Sequence, residues 1–257
     1  MFRAVLTAVV VSIAGCGRPP GIDESKIVDL TYPFNEETIY WPTARRFDLE
    51  TVSAGRDAAG RWYASNDYCA SEHGGTHIDA PIHFDPNGQT TADIPIGRLV
   101  GPARVIDIRD ACEANRNYCL TPADIKEHER RHGRIPRGSI VLIHTGFGRY
   151  YPDAGKYLGS DVRDRVEGLS FPGIGEAAAV ELVARGVDLV GLDTASLDHG
   201  PSKDFAAHRV FGAANVPGLE NIARLEMMPP VGATILALPM KIEGGTGGPC
   251  RVIAILP

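Results

Sequence analysis

Metal-binding residue types are concentrated in SEHGGTHIDAPIHFD, at residues 71–85. His73, His77 and Asp79 provide two imidazoles and a carboxylate, a ligand set that suits Zn, Mn or Fe(II) and leaves positions open for water and substrate. The intervening glycines and proline disfavour a helix, so a loop or irregular strand would have to gather these side chains. His83 follows Asp79 by four residues and could stay off the metal and transfer protons.

A second stretch, HERRH, matches the HExxH pattern of zinc proteases. In that motif two histidines on one helix face bind zinc and the glutamate is the general base, here His128, His132 and Glu129. The surrounding DIKEHERRHG is charged almost all round, which indicates a solvated outer face. Arg130 and Arg131 would also repel a bound cation. A protease that uses this motif is therefore only an alternative.

The elements that must position these residues are mostly strands. Short runs rich in Val, Ile, Leu and Thr are bounded by Gly, Pro or Asp, which predicts strands. These runs span 26–32, 46–54, 61–69, 103–108, 139–145, 187–194, 233–239 and 251–257. Several are almost continuously apolar, which predicts burial on both faces.

Helical patterns are fewer. Residues 121–133 begin with Thr121 as N-cap and Pro122 at the first helical position, and they end in glycine. Residues 173–186 and 220–226 are two further candidates. Together, the predicted strands and helices indicate an α/β fold, a β-rich single domain with a few covering helices. No linker divides residues 26–257, so we predict one domain there.

Composition and charge narrow the classes of partner. A chain of 257 residues fits one large domain, and 44% hydrophobic with 23% charged residues is typical of a globular protein. The formal net charge of −6 provides no electrostatic reason to expect a nucleic acid partner.

The first residues have the features of an export signal. A basic MFR precedes the apolar run AVLTAVVVSIAG, which is too short to span a bilayer as a helix. The run ends at Cys16 in a sequence that resembles a bacterial lipobox. We predict a lipoprotein signal peptide at 1–15, lipidation of Cys16 and a tether at 16–25. The protein would face the periplasm, with Gly17 favouring the outer membrane; a plain secretory signal is the alternative.

Four cysteines remain after Cys16, and they allow three pairings that sequence does not distinguish. They are Cys69, Cys112, Cys119 and Cys250. A local bridge between Cys112 and Cys119 is plausible in an exported protein. Four free thiols are the other possibility.

The segment HGGTHIDAPIHF resembles the HxGTHxDxPxHF signature of the cyclase-like metal-dependent hydrolases, which include bacterial kynurenine formamidases and isatin hydrolases. The similarity continues in order through IVDLTYPFNEETIYWP, IPIGRLVGPARVIDI, GSIVLIHTGF, GLDTASLDHGPSKDFAAHR and ALPMKIEGGTGGPCRVIAI. It thus covers nearly the whole chain after the signal. The resemblance implies a domain of the swivelling β/β/α type at 26–257.

The resemblance also implies roles within the motif. His73, His77 and Asp79 would bind one metal ion, and Asp79 would bridge to a second. His83 matches the family's proton-donor and proton-acceptor histidine.

Three distant residues match further positions of the family. His208 corresponds to a histidine of the second metal, and Glu220 to the carboxylate that bridges both ions. Trp41 matches a tryptophan that contacts substrate. Without a catalytic role, Glu220 could be a glutamate that a helix N-terminus favours. Trp41 could likewise be a residue that only packs in the core.

These matches predict a hydrolase with two divalent ions, Zn or Mn, that cleaves an aryl formamide such as N-formylkynurenine. Because a metal lowers the pKa of bound water to about 7, metal-bound hydroxide would attack the carbonyl. The first alternative is isatin-hydrolase-like opening of a cyclic amide with one Mn ion. Another is a metal- or ligand-binding lipoprotein without turnover. Family resemblance further implies a homodimer or homotetramer.

Overall fold

The computed structural model describes residues 21 and 23–257. The predicted signal peptide, Cys16 and most of the predicted tether lie outside these residues. Strands in the described part are β1 (Ile27–Asp29), β2 (Asp48–Arg56), β3 (Trp62–Cys69), β4 (His77–Asp79), β5 (Val100–Asp107), β6 (Cys119–Leu120), β7 (Ile140–His144), β8 (Gly173–Ile174), β9 (Leu189–Leu192), β10 (Gly218–Glu220), β11 (Val231–Pro239) and β12 (Gly247–Ile255).

The helices are short and lie between strands. They are α1 (Arg109–Ala114), α2 (Pro122–His132), α3 (Ala154–Leu158), α4 (Glu176–Arg185) and α5 (Ala206–Ala213). A 3-10 turn at Pro81–His83 also bears on the site, since it carries His83. Across the described residues, no helix has both the length and the apolar character needed to cross a membrane.

The main sheet closes on itself. Its strand order is β12-β11-β5-β7-β9-β10-β4, and β4 pairs again with β12, while β1 adds to the side of β12. Strands β5, β7, β9 and β10 run parallel to one another. The short strand β4 is antiparallel to both of its neighbours. The closure therefore places β4 between β10 and β12.

The core occupies both faces of this sheet. Every residue of β7 is buried, and its first four side chains alternate between two apolar clusters because successive residues of a strand point to opposite faces. Ile140 and Leu142 join the cluster inside the closed sheet, whereas Val141 and Ile143 pack under the helices. Truncating such a residue to alanine would cost about 2–5 kcal/mol.

Most predicted elements are confirmed. Each of the eight predicted strands overlaps an observed strand, and β7 and β9 are buried throughout. Helix α2 begins at the predicted cap, where Thr121 and Asp124 form a reciprocal capping box. The predicted class, a sheet-rich α/β single domain with few helices, is confirmed.

The helix predicted at 220–226 is wrong. Glu220 instead ends strand β10, where it pairs with β4. Asn221 and Arg224 both have left-handed backbone conformations, with φ of 52° and 55°, which a continuous right-handed helix excludes. A helix forms just before this segment, as α5, and it carries His208.

Two further features lie away from the closed sheet. Strands β2 and β3 form a separate hairpin whose side chains are mostly exposed. The four cysteines after Cys16 are all free thiols, so the predicted local bridge between Cys112 and Cys119 is absent from the described structure. Cys112 is buried in the apolar core, which explains how it is accommodated without a bridge.

Candidate metal centre and active site

Two adjacent strands present the first ligands. In the antiparallel register of β4 and β10, His77 lies opposite Glu220, and Asp79 lies opposite Gly218. His77 and Asp79 are two residues apart on one strand, so their side chains point to the same face. Both strands are fully buried, and the three polar side chains are therefore enclosed.

Asp79 lies at the centre of a polar cluster formed by His73, His77, Asp79, His208 and Glu220. Its Oδ1 is 2.7 Å from His73 Nδ1 and 3.2 Å from His77 Nε2. Its Oδ2 is 3.1 Å from His208 Nε2. One carboxylate thus contacts three imidazoles.

Glu220 completes the cluster from β10. Its Oε2 is 3.5 Å from His77 Nε2, and its Oε1 is 3.2 Å from His208 Nε2. The same Oε1 accepts a hydrogen bond from the Leu197 backbone N–H at 2.8 Å. The two carboxylates therefore share His77 and His208.

The Nδ1 atoms of His208 and His77 point away from the cluster and make hydrogen bonds to neighbouring groups. His208 Nδ1 donates to Asp198 at 2.6 Å, and His77 Nδ1 donates to the Gly75 carbonyl at 3.0 Å. Because a carbonyl oxygen only accepts, His77 must carry a proton on Nδ1. Its Nε2 can then offer a lone pair to an ion, as in metal sites whose ligating histidines are oriented in this way.

His73 is oriented by a threonine and a glutamate. The Thr246 hydroxyl donates to Glu72 at 2.7 Å, so it accepts from His73 Nε2 at 2.9 Å. This leaves His73 Nδ1 directed at the cluster. Gly247 makes room for the ring, since a Cβ at that position would lie 2.6 Å from His73 Cε1.

The buried charges interact strongly. Burial alone would raise the pKa of Asp79, but hydrogen bonds from His208 and His73, together with the nearby imidazole of His77, hold that pKa well below its usual range. Burial and the charge of Asp79 raise the pKa of Glu220. Two buried carboxylates this close disfavour joint ionisation unless positive charge compensates them.

The histidines supply that charge in the metal-free protein. Burial opposes the cationic form of His77, but the neighbouring carboxylates of Asp79 and Glu220 outweigh it and raise its pKa to about 9. The pKa of His208 is also raised well above its usual value, since Asp198, Asp79 and Glu220 outweigh its burial.

The cluster fits divalent cations. His77 Nε2 is buried and makes no hydrogen bond of acceptable geometry. Among the described residues, two sets of three side chains bring their ligand atoms within 4.8 Å of one another: His77, Asp79 and Glu220, and His73, Asp79 and His83. An imidazole–carboxylate donor set with fixed tautomers is typical of sites for divalent metal ions.

His83 lies beside the ligands. It ends the 3-10 turn, and its ring stacks on His73 with centroids 3.9 Å apart and an interplanar angle of 20°. Burial and the neighbouring imidazoles of His73 and His208 together lower the pKa of His83 to about 4, while the carboxylate of Asp79 opposes the shift. His83 is therefore neutral at pH 7 and can accept a proton.

A cavity of about 300 Å³ opens above the cluster. Its wall is largely aromatic, with Trp41, Phe84 and Phe205 on one side. The ring centroids of Trp41 and Phe205 are 6.3 Å apart, and those of Phe84 and Phe205 are 5.3 Å apart. This cavity can hold a planar apolar group next to the polar cluster.

The seven residues that the family resemblance indicated all line this one cavity: Trp41, His73, His77, Asp79, His83, His208 and Glu220. Sequence reasoning missed the groups that orient the ligands, chiefly Asp198 and Thr246. It also missed Phe84 and Phe205, which lie within quoted motifs but have no local pattern that sets them apart.

The HERRH segment lies elsewhere. Glu129 pairs with Arg185 at 2.9 Å and accepts from the Ile135 backbone N–H. His128 is buried, so the predicted fully solvated face is wrong at this position. Neither His128 nor His132 belongs to the three-ligand sets found among the described residues.

Fold and site together define a class of protein. Residues 28–199 match the family model described as "Putative cyclase", so the chain belongs to the cyclase family. The chain is 32% identical to isatin hydrolase of Roseibium aggregatum over 206 residues, which cover 78% of each protein.

Two further proteins support the family assignment. Kynurenine formamidase of Bacillus thuringiensis subsp. konkukian is 29% identical and matches 89% of this chain and 97% of its own length. The structure of isatin hydrolase A from Labrenzia aggregata, bound to benzyl benzoate, has a TM-score of 0.81 and 33% identity, and it covers 90% of this chain and 93% of its own. The predicted family and the predicted class, a hydrolase, are confirmed.

Proposed function

We propose that this protein is a metal-dependent amidohydrolase that cleaves an aryl formamide resembling N-formylkynurenine. The observation that supports it is the meeting of three imidazoles and two carboxylates at the floor of an aromatic cavity. A planar aromatic amide would place its ring against Trp41 and Phe205 and its carbonyl towards the cluster.

Two divalent ions, Zn or Mn, would be held by five residues. His73 and His77 would hold one ion and His208 the other, while the carboxylates of Asp79 and Glu220 would contact both. Bound there, such ions supply an acidified water and polarise the substrate carbonyl.

His83 would carry the proton transfers. Its low pKa keeps a ring nitrogen free to take the proton released by the attacking water. The same nitrogen would pass this proton to the leaving amine nitrogen. Stacking on His73 holds the ring in place for both transfers.

Opening of a cyclic amide is the second candidate. Its support is overall similarity, since isatin hydrolases are the relatives with 32% and 33% identity. Its one-ion pattern lacks the bridging carboxylate, whereas this chain has Glu220 beside both His77 and His208. The carboxylate is the reason that we favour the two-ion formamidase.

A substrate comparison with metal analysis separates the candidates. Purified protein, stripped and reloaded with Zn²⁺ or Mn²⁺, would be assayed for kcat/KM on N-formylkynurenine and isatin. Two ions per chain and preference for the formamide would support the first candidate, and one Mn ion with preference for isatin the second. Metal loading without turnover of either, or of simple amides and lactones, would contradict both and favour a binding protein.

The protein would act as a homodimer or homotetramer. The hairpin of β2 and β3 carries large apolar side chains that are more than half exposed, namely Leu49, Val52, Trp62, Tyr63 and Tyr68. Large apolar side chains this exposed are typical of a protein interface. Light scattering on the wild type and on the double variant Trp62→Asp/Tyr63→Asp tests this. A monomeric wild type would contradict the proposal. A double variant that remains oligomeric would show that the hairpin is not part of the interface.

The N-terminal sequence supports export and lipid anchoring at Cys16. Diacylation would provide two chains, enough for stable attachment at the periplasmic side of a membrane. Labelling with a radioactive fatty acid in a bacterial host would mark the wild type and leave Cys16→Ala unlabelled. Equal labelling of both would refute lipidation at this residue.

A further inference from the structure

A buried asparagine directly after Glu220 connects the two strands that carry the candidate ligands. Asn221 is 2% exposed, and its backbone has a left-handed φ of 52°. Its backbone N–H donates to the Thr194 carbonyl at 2.8 Å, and its carbonyl accepts from the Thr76 hydroxyl at 2.7 Å. These contacts fix the main chain where β10 ends and where β4 begins.

The side chain of Asn221 reaches the support of His77. Its Nδ2 donates to the Gly75 carbonyl at 2.8 Å, and this carbonyl is the one that accepts from His77 Nδ1. The amide orientation is settled by chemistry, because a carbonyl can only accept and the amide nitrogen must therefore face Gly75. Asn221 thus holds the acceptor that sets the tautomer of His77.

A tyrosine fixes the other end of the amide. With Nδ2 facing Gly75, Asn221 Oδ1 faces the hydroxyl of Tyr157, which is 2.9 Å away. This hydroxyl is buried, and the Asp193 carbonyl, at 3.1 Å, is its other acceptor. Tyr157 belongs to α3, so Asn221 links this helix to the polar cluster.

We propose that Asn221 is a positioning residue of the metal centre: it holds the Gly75 carbonyl so that His77 Nε2 faces Asp79 and Glu220. This inference rests on the proposed metal-dependent function and adds a residue for which sequence reasoning gave no role. Groups that orient ligating histidines commonly contribute 10- to 100-fold to metal affinity.

Asn221→Gly isolates this role. Glycine adopts the left-handed backbone readily, so the main-chain bonds can persist. Tyr157 can still donate to the Asp193 carbonyl, and the Gly75 carbonyl can still accept from His77, so neither group is left without a partner. The variant should therefore fold while the carbonyl that orients His77 is no longer held.

The measurement is affinity of the metal-free protein for Zn²⁺ in competition with a chelator. Asn221→Gly should weaken binding about 10- to 100-fold, with the thermal unfolding of metal-free protein still cooperative. Tyr32→Phe is the matched control: among the described residues the hydroxyl it removes bonds to the Gly148 carbonyl alone, and its Zn²⁺ affinity should equal that of the wild type. An unchanged affinity in Asn221→Gly, or an equal loss in Tyr32→Phe, would overturn the inference.

Asn221→Asp provides a second test if the glycine variant does not fold. An ionised aspartate has nearly the same shape but cannot donate to Gly75, and its charge by itself favours cations. Weaker Zn²⁺ binding in this variant would support the inference, and equal or tighter binding would overturn it. A wild type that binds no Zn²⁺ would refute the proposed function instead, so the two failures are distinct.

Discussion

His77 and Glu220 lie directly opposite each other in the register of β4 and β10, and His77 Nε2 is 3.5 Å from Glu220 Oε2. This pairing brings a candidate ligand of the HGGTHIDAPIH motif close to a carboxylate far along the chain. The proposal of two ions, rather than one, depends on this relationship.

Metal content should distinguish the bridging carboxylates. We expect two ions per chain in the wild type, one in Glu220→Gln and none in Asp79→Ala, because Asp79 contacts all three imidazoles. Elemental analysis against protein concentration measures this. Glu226→Gln, a change at an exposed acid nearby, is the control and should keep both ions.

His83→Ala should keep the metal and lose turnover. Removing a general acid–base group lowers kcat by about 10²- to 10⁴-fold, while His73, His77 and Asp79 remain in place. Elemental analysis and kcat would be measured on the same preparation. A matching loss of metal would make His83 a ligand, which its place beside His73 and Asp79 also allows.

Metal affinity should rise with pH. In the metal-free protein the pKa of His77 is raised to about 9, so this imidazole is protonated at pH 7 and must lose its proton to bind an ion. Apparent affinity should therefore increase from pH 6.5 towards 9. Calorimetry in buffers of different ionisation enthalpy would count the released protons, and no release at pH 7 would contradict the assignment.

Trp41 should affect substrate binding more than chemistry. Loss of an aromatic contact in Trp41→Ala should raise KM for an aromatic amide about tenfold, with kcat nearly unchanged. Trp41→Phe keeps an aromatic ring near Phe205 and should retain most of the binding. Equal KM values for wild type and Trp41→Ala would show that Trp41 only packs against the core.

Glu129→Gln tests the protease alternative. Hydrolysis should be unchanged, because Glu129 pairs with Arg185 and lies outside the cavity. The free energy of unfolding should fall by about 1 kcal/mol, since a charged pair becomes a neutral hydrogen bond. Denaturant unfolding measures the loss of stability, and the activity assay measures hydrolysis. Abolished activity would indicate that the HERRH motif is the catalytic site.

Local sequence patterns predicted most of the fold, because periodicity and caps report how each segment is buried. The strand at 139–145 and the cap at Thr121 are examples. Prediction failed at 220–226, where the sequence has a short helical pattern but Glu220 pairs with β4 as part of a strand. A three-residue strand such as β10 forms only because its neighbours are already in place, and propensity over so few residues carries little information.

The sequence by itself determined the chemical inventory, because His73, His77, Asp79 and His83 all fall within eleven residues. Resemblance to a family then indicated His208 and Glu220. Only the tertiary structure decided that β10 pairs with β4 and that α5 delivers His208 to Asp79. It also decided which groups hold the imidazoles, Asp198, Thr246 and the Gly75 carbonyl. The physical reason is that these contacts depend on register and closure of the sheet, which are collective properties of many buried residues.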